Sequence, residues 1–398
     1  MYLYHALSLL LALEEDEENP SSKRKYFRDG LNDEGRLRRR ARIPRVALLD
    51  PTVSPWQYMY DSRDDTALIT VTGFDRAIFD ELLLKFIPYY NSYSPWDSGG
   101  AGGGGGIKPI DPLSVLGGRP RKLDAAACLA LVLVANRTTG SLFQLQTFFG
   151  ATGTPIGKWL QFGRRIVCLM LENDPLAAVR MPSVDKIEEL KSVCNEKFMF
   201  LRDAYCVGDG LKIPIENCGD PAVQNQFYNG WTHGTYITNL FIFSLDGRLI
   251  AMIINAPGSM HDSTLAMVKD MSSIYDHLEQ IYQLTGGRCV MDSAFASANT
   301  DSIIKSAQDC FQGETALEIS VFRDATSLRQ AAEWGMRALQ GSFPRLTEKI
   351  KWEDNEDNRF YFLYQVTLLY NYRLERVGLN QIRNTYVPAW SRDAAFFM

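Results

Sequence analysis

The chain has 398 residues, 46% of them hydrophobic, and a formal net charge of −5. A chain this long and this apolar buries a sizeable core and is expected to form two or three structural units, which excludes a disordered protein. The acidic balance excludes a global attraction to nucleic acid, so any such contact must come from local basic patches or a basic partner.

Residues 1–18 form a short apolar run that passes straight into acids, with no basic start and no small-residue cleavage site. That pattern predicts a helix rather than a signal peptide. No apolar run approaches the roughly 20 residues a membrane span requires, and a soluble protein with no membrane partner is expected. Residues 21–45 are polar and basic, with Arg36, Arg38, Arg39, Arg40, Arg42 and Arg45 close together. A solvated arm, a nuclear-import signal and a phosphate-binding arm all share that composition.

Over residues 73–90, Phe74, Ile78, Phe79, Leu82, Leu83 and Phe86 fall at helical spacing, and Pro88 is expected to end the helix. A glycine tract follows and reads as a flexible loop or linker. Residues 122–172 predict three helices, the last two separated by a short turn at residues 151–153. A helix, a tight turn and a second helix bearing Lys158, Arg164 and Arg165 is what a helix-turn-helix needs to reach the major groove. An ordinary helical bundle has the same pattern.

From Phe198 the pattern changes to strands. Ala204 to Gly208, Tyr236 to Leu245 and Arg248 to Ala256 are β-rich, and the Asp246-Gly247 pair between the last two marks a hairpin turn. A strand at Arg288 to Met291, a helix from Ser297 to Gln308, a strand at Ala316 to Val321 and a helix holding Glu333 are expected next. The fold class is therefore α/β, a mixed sheet with helices packed on it, preceded by an all-α region. The seven cysteines form no CxxC pair and the four histidines no HExxH, so reduced intracellular thiols are expected and zinc is not.

Three carboxylates stand out. Asp209 and Asp292 each follow a short β-prone run, and Glu333 sits in a helical pattern, so a folded sheet brings all three to one magnesium site. Each has a structural alternative: Asp209 as a turn residue before Gly210, Asp292 as a helix N-cap, and Glu333 as the centre of an ion-pair ladder with Arg329 and Arg337. Magnesium takes oxygen ligands and borrows others from phosphate. Two such ions about 3.5–4 Å apart activate the attacking oxygen and neutralise the leaving one in phosphodiester chemistry. On that reading Arg329 and Arg337 meet DNA phosphates. His261 and Asp262 either satisfy a loop and cap a helix, or order the rim of the metal site by supporting ligands or contacting phosphate.

Five segments, VGDGLKIPI, NQFYNGWTHGTY, DGRLIAMIINAPGSMHDS, MDSAFA and RQAAEWGMRALQGSFPRL, occur in that order over about residues 200–375. Together they resemble the transposase domain of the PIF/Harbinger superfamily and its domesticated nuclease relatives. The resemblance implies an RNase H-like fold with a DDE triad on Asp209, Asp292 and Glu333, at intervals of 83 and 41 positions. The helices before it resemble, more weakly, the helix-turn-helix region that precedes that domain. Two positions depart from the pattern: Lys212 stands where histidine is frequent, and Trp231 where a basic residue is frequent.

The expected organisation is an N-terminal helical and basic region over 1–110, a helix-turn-helix-like region over 111–195, the nuclease domain over 196–375 and a tail over 376–398. The resemblance implies a nuclear DDE-type endonuclease or transposase acting on double-stranded DNA with two Mg²⁺ or Mn²⁺ ions. It also implies a basic Myb-like partner; self-association is a separate expectation, not one the resemblance carries. The alternative is a domesticated DNA-binding or chromatin-interaction protein without catalysis.

Overall fold

A computed structural model describes residues 43–95, 107–110, 121–260, 274–295, 301–306, 315–351 and 356–387. The expected N-terminal helix, most of the basic arm, the glycine tract, and His261 and Asp262 lie outside the described residues. The chain divides into two compact units, Met1–Val167 and Cys168–Met398.

The first unit is helical: α1 (Pro55–Ser62), α2 (Asp65–Thr72), α3 (Arg76–Ser92), α4 (Ala125–Arg137), α5 (Leu142–Phe149) and α6 (Gly153–Leu171), which runs past the division. Four of these start on a side chain that accepts from a first-turn N–H: Ser54, Asp64, Asp75 and Asp124. Each satisfies one of the backbone donors that a helix start leaves without a partner. Helix α4 is buried on all sides from Ala127 to Asn136, as an apolar sequence without a polar face requires. Pro88 does not end α3, which continues to Ser92. The proline deprives the Leu84 carbonyl of its helical donor, and Leu84 is 72% exposed, a surface position where that loss is tolerated. Between α5 and α6, Gly150 takes φ +63° and turns the chain.

The second unit holds α7 (Val184–Lys197), β1 (Ala204–Pro214), α8 (Pro221–Phe227), β2 (Gly234–Ser244), β3 (Leu249–Pro257), α9 (Ile274–Thr285), β4 (Arg288–Asp292), β5 (Ile303–Ser306), α10 (Ala316–Ser342), α11 (Glu356–Val377) and α12 (Gln381–Tyr386). The sheet runs β3-β2-β1-β4-β5, and a two-residue strand, Tyr228–Asn229, pairs with the start of β2. β1 pairs antiparallel with β2 and parallel with β4, β2 antiparallel with β3, and β4 parallel with β5. This order, with only the second strand reversed, is the RNase H-like arrangement. β1 is central and its first four residues, Ala204 to Val207, are fully buried, as a strand covered on both faces must be.

Two expected elements are corrected. Ala316 to Val321 is the start of α10 rather than a strand. Thr315 and Glu318 form a reciprocal capping box there, which nucleates a helix against the β-prone Ile319 and Val321. Within the expected helix Ser297 to Gln308, the described residues 301–306 are instead a turn and β5, whose Ile303 and Ile304 pair with Cys289 and Val290.

The β2–β3 hairpin turns at Gly247 with φ +89°. A side chain there would meet Asn380 Oδ1 at 2.5 Å. Tyr370 Oη donates to the Gly247 carbonyl at 3.2 Å and accepts from Asn380 Nδ2 at 2.9 Å. Buried Asn371 both accepts from the Leu249 N–H and donates to its carbonyl, each at 2.9 Å. The segment expected as a tail therefore includes α12, whose Ile382 and Tyr386 are buried.

Candidate active site

β1 carries Asp209 between two glycines. At Gly208 a Cβ would lie 2.5 Å from Ile242 Cδ1 and 2.8 Å from Met291 Cε, so β1 fits closely between its neighbours there because that residue has no side chain. Val207 pairs with Phe243 of β2 and with Val290 of β4. Since side chains alternate along a strand, Asp209 shares the face of Val207 and Phe243, and Asp292 shares that of Val290. Gly208 pairs with Met291, so Asp209 and Asp292 occupy the next rung of strands about 4.8 Å apart.

Helix α10 crosses this face. At Gly335 a Cβ would approach the Phe243 ring to 2.8 Å, so the absent side chain sets how near the helix comes to the sheet. Ala332, Met336 and Leu339 are buried along the docked stripe, and Phe343 is buried just beyond the helix end. Asp324 Oδ2 accepts from the N–H groups of Phe200 and Leu201 at 3.0 and 3.3 Å, pinning the early turns of α10 beside the segment that leads into β1. Trp334 stacks on Tyr386 with centroids 6.4 Å apart.

This docking brings Glu333 to Asp209 through one guanidinium. Arg329 Nη2 lies 3.5 Å from Glu333 Oε1, and Arg329 Nη1 lies 4.0 Å from Asp209 Oδ2. Arg337 Nη2 lies 4.0 Å from Glu333 Oε2, but its side chain is 77% exposed against 20% for Arg329. These separations are ion pairs rather than short hydrogen bonds. The ladder expected along α10 is thus present, and it extends to the sheet.

Asp209 lies inside β1 rather than in the expected turn, and both aspartates bond the backbone of the next residue. Asp209 Oδ1 accepts from the Gly210 N–H at 2.8 Å. Asp292 Oδ1 accepts from the Ser293 N–H at 2.7 Å and lies 3.4 Å from its hydroxyl, at the start of a 3₁₀ turn, Ser293–Phe295. Each leaves its second carboxylate oxygen out of those contacts. Among the described residues, no three acidic, histidine or cysteine side chains already converge as a metal cage. The donor set nonetheless suits a hard cation: carboxylates on neighbouring strands and on the helix above them, two already sharing a positive group.

Of the basic residues expected on α6, Lys158 is exposed, whereas Arg164 and Arg165 are only 9% and 7% exposed. Arg164 and Arg165 therefore do not present the solvent-facing surface that a groove contact needs. Trp231 stands 91% exposed in the turn before β2. The importance of Gly335 and Asp324 was missed in the sequence. A glycine inside a helical pattern was the available signal for the first, and no local pattern marks the second.

A mixed sheet in this strand order, crossed on one face by a helix, defines the RNase H-like class of fold. Residues 208–368 match the family model described as DDE superfamily endonuclease. No curated protein matches the chain. Two solved structures are similar to it: a pre-cleavage Mos1 transpososome, at 12% identity over 67% of this chain and 81% of that one, and a Mos1 transposase paired-end complex with the left transposon end, at 11% over 58% and 82%. The TM-score is 0.17 in both, and at that level the likeness bears on neither fold nor chemistry.

Proposed function

We propose that the second unit is a metal-dependent DNA endonuclease of the DDE type, with Asp209, Asp292 and Glu333 as its metal-holding carboxylates. The observation that carries this reading is the joining of Asp209 on the central strand to Glu333 on α10 through Arg329, with Asp292 level with Asp209 on the neighbouring strand. All three lie inside the stretch matched as endonuclease.

In the proposed reaction a water oxygen attacks a backbone phosphorus, the bond to the 3′ oxygen breaks, and that oxygen leaves with a proton as a 3′-hydroxyl. In strand transfer the freed hydroxyl attacks a second phosphodiester in the same way. Divalent ions, Mg²⁺ or Mn²⁺, supply activation of the attacking oxygen and neutralisation of the leaving one when bound. The chain's own residues hold and orient: Asp209 and Asp292 are fixed by backbone N–H groups, and Glu333 by the docked helix. Arg337, exposed on the same helix, is read as a phosphate contact, and Lys158 as a DNA contact from the helical unit. His261 and Asp262 are read as rim groups. A chain of net charge −5 needs added DNA affinity, for which we propose a basic Myb-like partner and self-association. The basic run near residues 36–45 is read as a nuclear-import signal. We place the chain in the PIF/Harbinger branch on its sequence motifs.

The test is nicking of double-stranded DNA with Mg²⁺ or Mn²⁺, with and without a basic partner, comparing the wild type with Asp209→Ala, Asp292→Ala and Glu333→Ala. Loss of cutting in each variant is expected; undiminished cutting in all three would exclude the triad. A second reading, a catalytically silent DNA-binding protein, is favoured by the absence of a closed cage among the described residues. Retained DNA binding without nicking in the wild type is its outcome.

A further inference from the structure

The guanidinium of Arg329 stands where a shared cation belongs. It is the group through which a strand acid and a helix acid meet, at 4.0 Å from Asp209 and 3.5 Å from Glu333, and its side chain is 20% exposed. Arg337 is the internal comparison. It is one turn beyond Glu333 on the same helix, carries the same charge and lies 4.0 Å from Glu333 Oε2, from a position 77% exposed. The two arginines therefore differ in place rather than in chemistry.

Carboxylates gathered on one face without a cation repel, and a partly enclosed site screens that repulsion less than bulk water does. Arg329 relieves it between Asp209 and Glu333. A divalent ion needs the same oxygens at about 2.0–2.1 Å, nearer than the guanidinium comes. The ion and the Arg329 pairing thus draw on one set of charges. Occupation by one weakens the other, and linkage makes the effect reciprocal.

We propose that Arg329 is a resident counter-cation of the Asp209–Glu333 pair, competing with the divalent ion and displaced from the pair when the ion binds. This deepens the proposed function and rests on its metal site. Arg329 is here a positioning residue: it holds the strand acid and the helix acid within reach of each other before metal arrives. Once displaced, its charge is free to meet the phosphate of the incoming DNA, so metal loading and substrate contact become linked. An arginine serves this better than a lysine, because its planar fork presents nitrogens to two carboxylates at once.

The experiment is calorimetric titration of Mn²⁺ into the full chain without DNA, so that the readout is affinity and not activity. Arg329→Met is expected to bind Mn²⁺ between about 5-fold and 150-fold more tightly than the wild type, the usual range for coupled sites. Arg337→Met, which removes the same charge from the exposed position, is expected to change affinity far less, and Arg329→Lys to stay nearer the wild type than Arg329→Met. Circular dichroism and the thermal midpoint establish that each variant is folded. If folded Arg329→Met binds no more tightly than the wild type while Asp209→Asn abolishes binding, the counter-cation is refuted and the metal site stands. Equal tightening by Arg329→Met and Arg337→Met refutes it too, reducing the effect to net charge. If Asp209→Asn and Glu333→Gln bind Mn²⁺ as the wild type does, the metal site itself falls.

Discussion

Asp292 makes contacts that ask nothing of its charge: the N–H and hydroxyl of Ser293 both meet Oδ1. An asparagine keeps an acceptor oxygen in that place. Asp292→Asn is therefore expected to leave the thermal midpoint close to that of the wild type while nicking falls more than about 100-fold, beyond the range of a residue that merely supports a ligand. A variant that melts early would mean the carboxylate is structural, and one that still cuts would remove Asp292 from the chemistry. Asp209 has the same division of labour, one oxygen on the Gly210 N–H and the other toward Arg329. The candidacy of each residue was legible from its short motif. That Asp209 and Glu333 share a guanidinium was not, because sequence spacing places Arg329 on the face of Glu333 and says nothing of the strand beneath it.

At the scale of elements, the separation of α10 from the sheet depends on Gly335. Its missing side chain leaves room for the fully buried Phe243 ring, which a Cβ would approach to 2.8 Å. Gly335→Val gains roughly 0.4 kcal/mol of helix propensity but overpacks the contact, which costs about 1–3 kcal/mol. A lower denaturation midpoint and weaker nicking are the expected outcome, and an unchanged midpoint would show that the ring has space to yield. The density of β-prone residues made much of β1, β2 and β3 readable, and the Asp-Gly pair marked the β2–β3 hairpin. The same reasoning misplaced Ala316 to Val321, since it weighed the β-branched residues and passed over the Thr315–Glu318 cap just before them. β5 was misread as helix because its identity depends on parallel pairing with β4, a contact that no local window contains.

For the whole molecule, the cysteines report on packing. Cys128, Cys168, Cys194, Cys206 and Cys289 are buried, and Cys218 is half-buried. Burial raises the thiols of Cys128 and Cys289 and pushes Cys194 up to about 12, so these stay protonated and unreactive near pH 8. Labelling of the native chain with a thiol reagent, followed by peptide mass analysis, is expected to modify Cys218 before these five, which react only after denaturant is added. Early modification of Cys206 or Cys289 would show that the central strands open readily. The order of the strands was not legible as such; it followed from the family resemblance, while the residues themselves specified only a mixed sheet with helices. The latch at Gly247 has a practical consequence for anyone cutting this protein into parts. The stretch recognisable as endonuclease stops at residue 368, yet the hairpin inside it is closed by Tyr370, Asn371 and Asn380, and its central strand starts four residues before the recognisable stretch begins. Where resemblance ends is not where the folding unit ends, and a fragment trimmed to the recognisable boundaries would leave its own hairpin unfastened.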